Sequence, residues 1–210
     1  MFYGDSLTAN ALAQHANLHF PSPSPDWLCA KAQCYTRRWV ISAKLYNLPS
    51  LEKHHKLPWF IKPASDKVFA AKVYSSINDP ALTHFSLDPH TPVYISEPVE
   101  FQHEWRFFIG NRDVKAFSIY ARYGKPFKYS REWEQEEEDE AFDFIRKVLA
   151  DTNVTLLPSQ VIDIGCTEKG WAVVETNESW ASAMYACEPG GVLDSLECIA
   201  QTAPRPASDR

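Results

Sequence analysis

The sequence predicts an α+β fold in which antiparallel strands are combined with helices. Hairpins are the first observation: two pairs of apolar runs rich in aromatic and β-branched residues are each joined by a short turn that contains glycine. The second is a long helical pattern between these hairpins. The third is length and composition, because 210 residues that are 45% hydrophobic can build a core in one substantial domain or in two small lobes.

Each element follows from a local signal: cap residues and an apolar stripe for helices, and aromatic or β-branched runs bounded by turn residues for strands. The first half contains a helix over 5–17, a helix start at Ser24-Pro25, strands at 37–42, 58–63 and 67–76, a short helix from 78–80, and a strand at 91–101. The second half contains a hairpin over 104–122 that turns at Gly110-Asn111, the longest helix at 132–150, a hairpin over 161–177, and a closing helix at 191–201.

Charge and cysteine content narrow the function classes. The net charge is −6 and the basic residues are scattered, so the sequence predicts no nucleic-acid partner. The five cysteines form no C-x-x-C pair, which argues against a disulfide framework and against a zinc site. The chain has neither the long apolar run of a membrane span nor a signal-peptide pattern, so we expect a cytoplasmic protein with no membrane partner.

Polar residues interrupt the second hairpin, in V-V-E-T-N. Glu175 and Asn177 are two residues apart and therefore share one face of a strand. A three-residue turn at 168–170 would place Asp163 directly opposite Glu175, whereas a two-residue turn would place Asp163 opposite Thr176. Two facing carboxylates beside an amide either hold a cation such as magnesium, which prefers oxygen ligands, or each pair with an arginine. The hairpin by itself supports both readings equally.

Lysines cluster around the strand F-I-K-P. Lys62 ends an apolar strand and points toward whatever that sheet covers, where an ammonium group needs an anion such as phosphate. Lys67 lies in the following polar turn and Lys72 on the next strand. For Lys72 an outward, solvated position is the more reasonable expectation.

The third polar segment is S-E-P-V-E-F-Q-H-E-W-R. Glu97 ends a strand just before Pro98, so the peptide groups of the next two residues are candidates for recognising the edge of a heterocycle. Glu104 follows seven residues later, and Arg106 shares its face of the strand. Glu-x-Arg on a strand is also a common surface ion pair.

The order of these segments resembles the ATP-grasp superfamily, and specifically its clade named for two arginines and one lysine. F-I-K-P, S-E-P-V, I-D-I-G and V-E-T-N carry the resemblance, which covers about residues 58–190. It implies an ATP-grasp fold: two lobes of antiparallel sheet plus helices, with the nucleotide site between them. The expected limits are a short, truncated lead-in at 1–57, lobes at 58–97 and 98–203, and a flexible tail at 204–210.

The resemblance also implies a role for each polar residue. Lys62 and Lys67 would contact the phosphates of ATP, the main chain from Glu97 through Val99 to Glu100 would hold adenine, and Glu104 the ribose. Asp163, Glu175 and Asn177 would hold Mg²⁺. Arg106 and Arg122, together with Lys67, would act in catalysis by binding the γ-phosphate or an acidic substrate.

The activity so implied is an ATP- and Mg²⁺-dependent ligase that joins a small-molecule or peptide carboxylate to an amine or thiol through an acyl phosphate. Two alternatives remain: a catalytically weak or inactive relative that acts as a nucleotide-binding or protein-interaction module, and a metal-dependent phosphohydrolase. The region before Pro58 is short, so we expect that a partner chain or a homodimer could complete the substrate pocket.

Overall fold

A computed structural model describes residues 2–16, 19–64, 68–127 and 133–202. The chain divides into two compact units. One unit is continuous, from Pro25 to Glu100, and the other combines Met1–Ser24 with Phe101–Arg210. We call them the small unit and the large unit. The sequence-based domain limits stay a prediction, although residues 25–57 of the expected lead-in fall within the small unit.

The small unit contains a four-stranded antiparallel sheet in the order β1-β4-β2-β3. Its strands are β1 (Val40–Lys44), β2 (Trp59–Pro63), β3 (Lys72–Tyr74) and β4 (Pro92–Ser96). Its helices are a π-helix (Trp27–Lys31), 3₁₀ turns at Gln33–Tyr35 and Leu45–Asn47, α2 (Leu48–Leu51) and α3 (Pro80–Thr83). The strand predicted at 37–42 is therefore shifted toward β1, and that predicted at 67–76 is limited to β3.

One face of this sheet carries the core of the small unit. Trp59, Ile61, Val93 and Ile95 are almost fully buried in one cluster with residues of α2 and α3. Because side chains alternate along a strand, Lys62 lies on the opposite face, next to Tyr94 on the neighbouring strand.

The large unit contains a five-stranded antiparallel sheet in the order β7-β6-β5-β8-β9. Its strands are β5 (His103–Gly110), β6 (Asp113–Arg122), β7 (Lys125–Pro126), β8 (Ser159–Thr167) and β9 (Gly170–Asn177). Its helices are α1 (Ser6–Ala16), α4 (Gln135–Ala150), a 3₁₀ turn (Ser179–Ala181) and α5 (Pro189–Thr202). Both predicted hairpins and the predicted helices of this unit are confirmed. The β5–β6 turn is formed by Asn111 and Arg112, both with positive φ, one residue later than predicted.

Helix α4 covers one face of the five-stranded sheet, which we call the helix face. The ring of Phe142 meets Phe107 and Phe117 edge-on, with centroids 5.5 and 4.7 Å apart. Acidic residues fill the first turn of α4, where the helix dipole favours negative charge, and its apolar stripe faces the sheet.

The other face, which we call the site face, is covered at one end by α1, the 3₁₀ turn and α5. Phe108, Val161 and Leu196 belong to the buried cluster there. Helix α5 packs closely against the sheet, because a Cβ atom added at Gly191 would lie 2.0 Å from the carbonyl oxygen of Lys115 on β6. Glycine at this position therefore lets α5 approach the sheet backbone.

Candidate active site

A line of three charged side chains crosses the site face of the large unit. Arg106 on β5, Asp163 on β8 and Glu175 on β9 are direct cross-strand neighbours. Two residues along these strands, Glu104 and Asn177 lie on the same face. We call these five residues the polar row. The structure thus brings together five of the side chains that the sequence predicts for the site.

The opposition of Asp163 and Glu175 is confirmed, but its cause differs from the one expected. The turn contains two residues, because Thr167 pairs with Gly170, so the three-residue turn was wrong. Continued regularly, this register would place Glu175 opposite Ile162, on the helix face, and Asp163 opposite Val174, so the expected pairing of Asp163 with Thr176 for a two-residue turn was also wrong. A β-bulge at Val174 adds one residue and returns Glu175 to the site face, opposite Asp163.

Asp163 and Arg106 form a buried bidentate ion pair. Nε and Nη2 of Arg106 donate to the two carboxylate oxygens of Asp163 at 2.9 and 2.7 Å, and Asp163 is fully buried. Burial acts to lower the pKa of Arg106, but the Asp163 carboxylate more than offsets it and the pKa is raised. This guanidinium therefore supplies the positive charge that the facing carboxylates need. For Asp163, this agrees with the second alternative given by the sequence, in which each carboxylate pairs with an arginine.

Arg106 also holds the segment between the 3₁₀ turn and α5. Its Nη1 donates to the carbonyl oxygen of Ala183 at 3.0 Å, and Tyr3 donates its hydroxyl to the carbonyl oxygen of Ser182 at 2.6 Å. The guanidinium lies 4.9 Å from the ring centroid of Tyr185, which has a positive φ of 49°. One arginine thus ties the polar row to the loop that covers it.

Tyr120 completes this network and was not among the residues predicted from the sequence. Its hydroxyl donates to Oε2 of Glu104 at 2.8 Å, and its ring stacks on Tyr185 with centroids 5.0 Å apart. Tyr120 is the extra residue of a bulge in β6 opposite Glu104 and Trp105. It lies two positions after Ser118, the cross-strand partner of Arg106, and so keeps the site face, where its ring meets the Arg106 guanidinium. The bulge turns the following Arg122 to the helix face.

Glu175 and Asn177 form the other polar pair, and they are the residues to consider for a magnesium site. Asn177 donates its side-chain N–H to Oε1 of Glu175 at 2.9 Å, which orients the amide oxygen away from that carboxylate. Both residues are partly exposed and carry side-chain oxygens of the kind that Mg²⁺ binds, whereas both oxygens of Asp163 already accept from Arg106. No group of three or more His, Cys, Asp or Glu side chains among the described residues could hold a metal. Glu175 and Asn177 are therefore the better ligand candidates.

Arg122 does not join the polar row. It lies on the helix face, where its Nη1 and Nη2 donate to the carboxylate of Glu137 in the first turn of α4 at 2.9 and 2.7 Å. These bonds raise the pKa of Arg122 and lower that of Glu137. The structure therefore places Arg106 and Arg122 on opposite faces of one sheet.

Glu137 makes the stability of the large unit depend on pH. Its pKa lies below the ordinary value of 4.5, mainly because of the hydrogen bonds from Arg122, so the pair stabilises the fold above that pH and loses this effect as the pH falls through the lowered pKa. Since the pair is partly exposed, we expect Glu137→Gln to lower the free energy of unfolding by only about 0.5–1 kcal/mol near neutral pH. Urea unfolding of wild type and variant at neutral pH and at a pH well below 4.5 should show this difference shrinking at the acidic pH.

The control is Glu136→Gln, an exposed change in the same helical turn. It should give no difference that disappears on acidification. A Glu137→Gln difference of equal size at both pH values would mean that the ion pair does not stabilise the fold.

The small unit carries Lys62 and Lys72, two of the lysines that the sequence analysis considered for the phosphate site. Lys62 lies 5.5 Å above the centroid of the Tyr94 ring and is partly buried. Lys72 is exposed and pairs with Asp79 at 3.3 Å, in agreement with its expected outward position. Lys67 lies outside the described residues.

The predicted adenine-binding segment follows β4. Its three residues, Glu97, Val99 and Glu100, belong to neither a helix nor a strand, and the pairing of β4 ends at Ser96. Main chain that leaves a sheet in this way is available in principle to hydrogen-bond a ligand. Its role in holding adenine stays a prediction.

Comparison with known proteins identifies the family. A family model for the ATP-grasp domain, describing family 2 of the clade named for two arginines and one lysine, matches residues 35–195. The chain belongs to this ATP-grasp family. The resemblance drawn from the sequence is confirmed, and so is the α+β fold with two antiparallel sheets.

Solved structures agree on the ATP-grasp fold. D-alanine–D-alanine ligase from Bacillus anthracis has a TM-score of 0.56 at 12% identity, over 93% of this chain and 74% of that chain. Carboxyaminoimidazole ribonucleotide synthase from Aspergillus clavatus, complexed with ATP, has a TM-score of 0.54 at 14% identity, over 94% of this chain and 58% of that one. At these identities the likeness concerns the fold alone. A search of curated protein sequences found no match.

None of the helices within the described residues is long and apolar enough to cross a bilayer. None of the five cysteines, all of which lie within the described residues, forms a disulfide, and two of them are buried. Burial raises the pKa of the Cys29 thiol to about 11, so it is protonated at neutral pH and a poor nucleophile.

Proposed function

We propose that this ATP-grasp protein is an ATP- and Mg²⁺-dependent ligase that joins a carboxylate to an amine or thiol through an acyl phosphate. We also propose that it works in the cytoplasm on small-molecule or peptide substrates, and that a partner chain or second copy completes the substrate pocket. The main support is the polar row, which gathers acids, an amide and a cation on one face of a sheet in a chain that belongs to a nucleotide-using family.

The residues of the chain suit this reaction because it needs fixed charges. A carboxylate that attacks the γ-phosphorus of ATP meets a polyanion, so positive groups must be held in place before the reaction starts. Lys62 is proposed to contact the phosphates, and Glu104 the ribose. Arg106 is held by Asp163 and by the Ala183 carbonyl, so it cannot swing toward a ligand without breaking a buried pair.

Bound magnesium would neutralise charge on the phosphates. Glu175 and Asn177 are proposed to hold it, with Asp163 acting through Arg106 to keep β8 and β5 aligned. The amine then displaces phosphate from the acyl group, a step in which orientation of the two substrates can supply much of the rate.

One observation favours a second candidate, a nucleotide-binding relative with weak or no ligase activity. Arg122, expected at the phosphate end, is instead paired with Glu137 on the helix face. A chain that lacks this second arginine at the reacting end could bind ATP and still transfer phosphate slowly.

The deciding experiment measures ADP release by the purified chain with ATP and Mg²⁺. Pooled amino acids and short acidic peptides are supplied as carboxylates, and pooled amines as acceptors. A ligase forms ADP only when both substrates are present, a phosphohydrolase forms it without an acceptor, and the binding module raises its melting temperature with ATP but forms none. Absence of both ADP formation and nucleotide stabilisation would overturn the proposal.

Lys62→Ala is expected to weaken nucleotide binding by about 10- to 100-fold, the usual worth of a charge-assisted hydrogen bond. The thermal shift produced by ATP and Mg²⁺ should fall accordingly, because ligand stabilisation grows with the logarithm of ligand concentration over Kd. Lys72→Ala is the control, since that lysine is exposed and paired with Asp79 in the same sheet. Equal shifts in both variants would exclude a phosphate-binding role for Lys62.

A further inference from the structure

Tyr120 holds Glu104 in one orientation on the site face. The phenol donates to Oε2 of Glu104 at 2.8 Å. A glutamate side chain has several rotatable bonds, and fixing one of its oxygens removes much of the rotational freedom that it would otherwise lose when a ligand binds. The bond therefore pre-organises the carboxylate before a ligand binds.

The tyrosine is itself held from two sides. Its ring stacks on Tyr185 with an angle of 10° between the planes, and the Arg106 guanidinium lies 5.4 Å from its centroid. Withdrawal from water and the nearby carboxylates raise the pKa of Tyr120 well above its ordinary value of 10.0, so the phenol remains protonated and acts as the donor. A donor locked by its ring imposes its direction on Glu104.

From this geometry we propose that Tyr120 is a positioning residue that sets recognition of the nucleotide sugar, by orienting Glu104 toward the 2′ and 3′ hydroxyls of ATP. This inference rests on the proposed function, because it takes Glu104 as the ribose ligand. It extends that function to a residue on a different strand, at the bulge in β6.

The test compares the Kd values of ATP and 2′,3′-dideoxy-ATP with Mg²⁺, by calorimetry on the full chain. Wild type should prefer ATP, because Glu104 loses both hydroxyl partners in the dideoxy analogue. Tyr120→Phe keeps the ring and its stacking and removes only the hydroxyl. It should reduce the preference for ATP by about three- to tenfold, the range for one hydrogen bond, and leave binding of the analogue nearly unchanged.

Two further variants separate positioning from a structural effect. Tyr185→Phe makes the same chemical change in the neighbouring ring and should leave the ratio of the two Kd values as in wild type. In a Glu104→Ala background, Tyr120→Phe should no longer alter the ratio, because the residue through which it acts is gone.

The outcomes distinguish this inference from the proposed function. If wild type binds neither nucleotide, the proposed function fails. If wild type binds both nucleotides equally, or if Tyr120→Phe weakens both by the same factor, ATP binding stands and the positioning role of Tyr120 is wrong.

Discussion

Asp163→Asn is expected to lower the free energy of unfolding of the large unit by about 3–5 kcal/mol, the cost of leaving one member of a buried ion pair without its partner. An asparagine offers one oxygen and an N–H where Arg106 now finds two carboxylate oxygens at 2.9 and 2.7 Å. The guanidinium would remain buried on the site face without the carboxylate that now binds it in two places. Urea unfolding without nucleotide or metal, together with hydrogen exchange in β5 and β8, measures this effect apart from any ligand binding.

The matched control is Asp113→Asn. Asp113 also pairs with a cation, Lys115, at 2.9 Å, but its side chain is 72% exposed, so its pair is screened by water and should contribute less than about 1 kcal/mol. The double variant Arg106→Met with Asp163→Leu should be less destabilised than Asp163→Asn, because it removes both buried charges. If Asp163→Asn and Asp113→Asn lowered the free energy of unfolding by similar amounts, burial of the Arg106 pair would not add to its contribution to stability.

Gly191→Ala is expected to destabilise the large unit by about 3 kcal/mol, at the upper end for an added methyl group in a packed site. The new Cβ would lie 2.0 Å from the Lys115 carbonyl oxygen and 3.1 Å from Cβ of Ala116. Backbone on β6 cannot rotate away as a side chain can, so α5 must shift as a whole. Thermal or urea unfolding measures the loss.

Gly190→Ala provides the comparison, one residue earlier in the same helix. Its Cβ would meet only the carboxylate end of Glu188, which can move, although Glu188 also accepts from the Gly191 N–H at 2.8 Å. We expect a change within about 1 kcal/mol, the usual worth of such a cap. A Gly191→Ala protein as stable as Gly190→Ala would mean that α5 does not rest on the sheet backbone as described.

Local patterns in the sequence were sufficient for the elements that make up the large unit. The β5–β6 hairpin and α4 each carry their signal within a short window: alternating aromatic residues around a turn, and an apolar stripe behind an acidic first turn. The shared face of Glu104 and Arg106 likewise follows from the period of a strand. The strand predicted at 67–76 was less accurate, because only the three residues of β3 pair in the sheet.

Local sequence patterns could not predict which residues the charged side chains contact. Arg106 meets Asp163 across 57 positions of sequence, and which strand lies beside β5 is a matter of tertiary packing. Arg122 was expected to act together with Arg106. It lies four positions after Ser118, the cross-strand partner of Arg106, so strict alternation would place both arginines on the site face, and the bulge at Tyr120 turns Arg122 to the helix face. Tyr120 was missed because its contacts with Glu104 and Tyr185 join three separate segments of the chain.

In the β8–β9 hairpin, the bulge at Val174 makes up for the shorter turn, and together they place Asp163 opposite Glu175. A turn of two residues with one extra residue at Val174 has the same chain length, from Asp163 to Glu175, as a turn of three residues in an unbroken ladder. An insertion in the turn that is matched by loss of the bulge would therefore leave the carboxylates where they are, whereas an unmatched one would move Glu175 under α4. Tolerance of this hairpin to insertions and deletions is set by the sum of its two irregularities, and neither one alone defines the site.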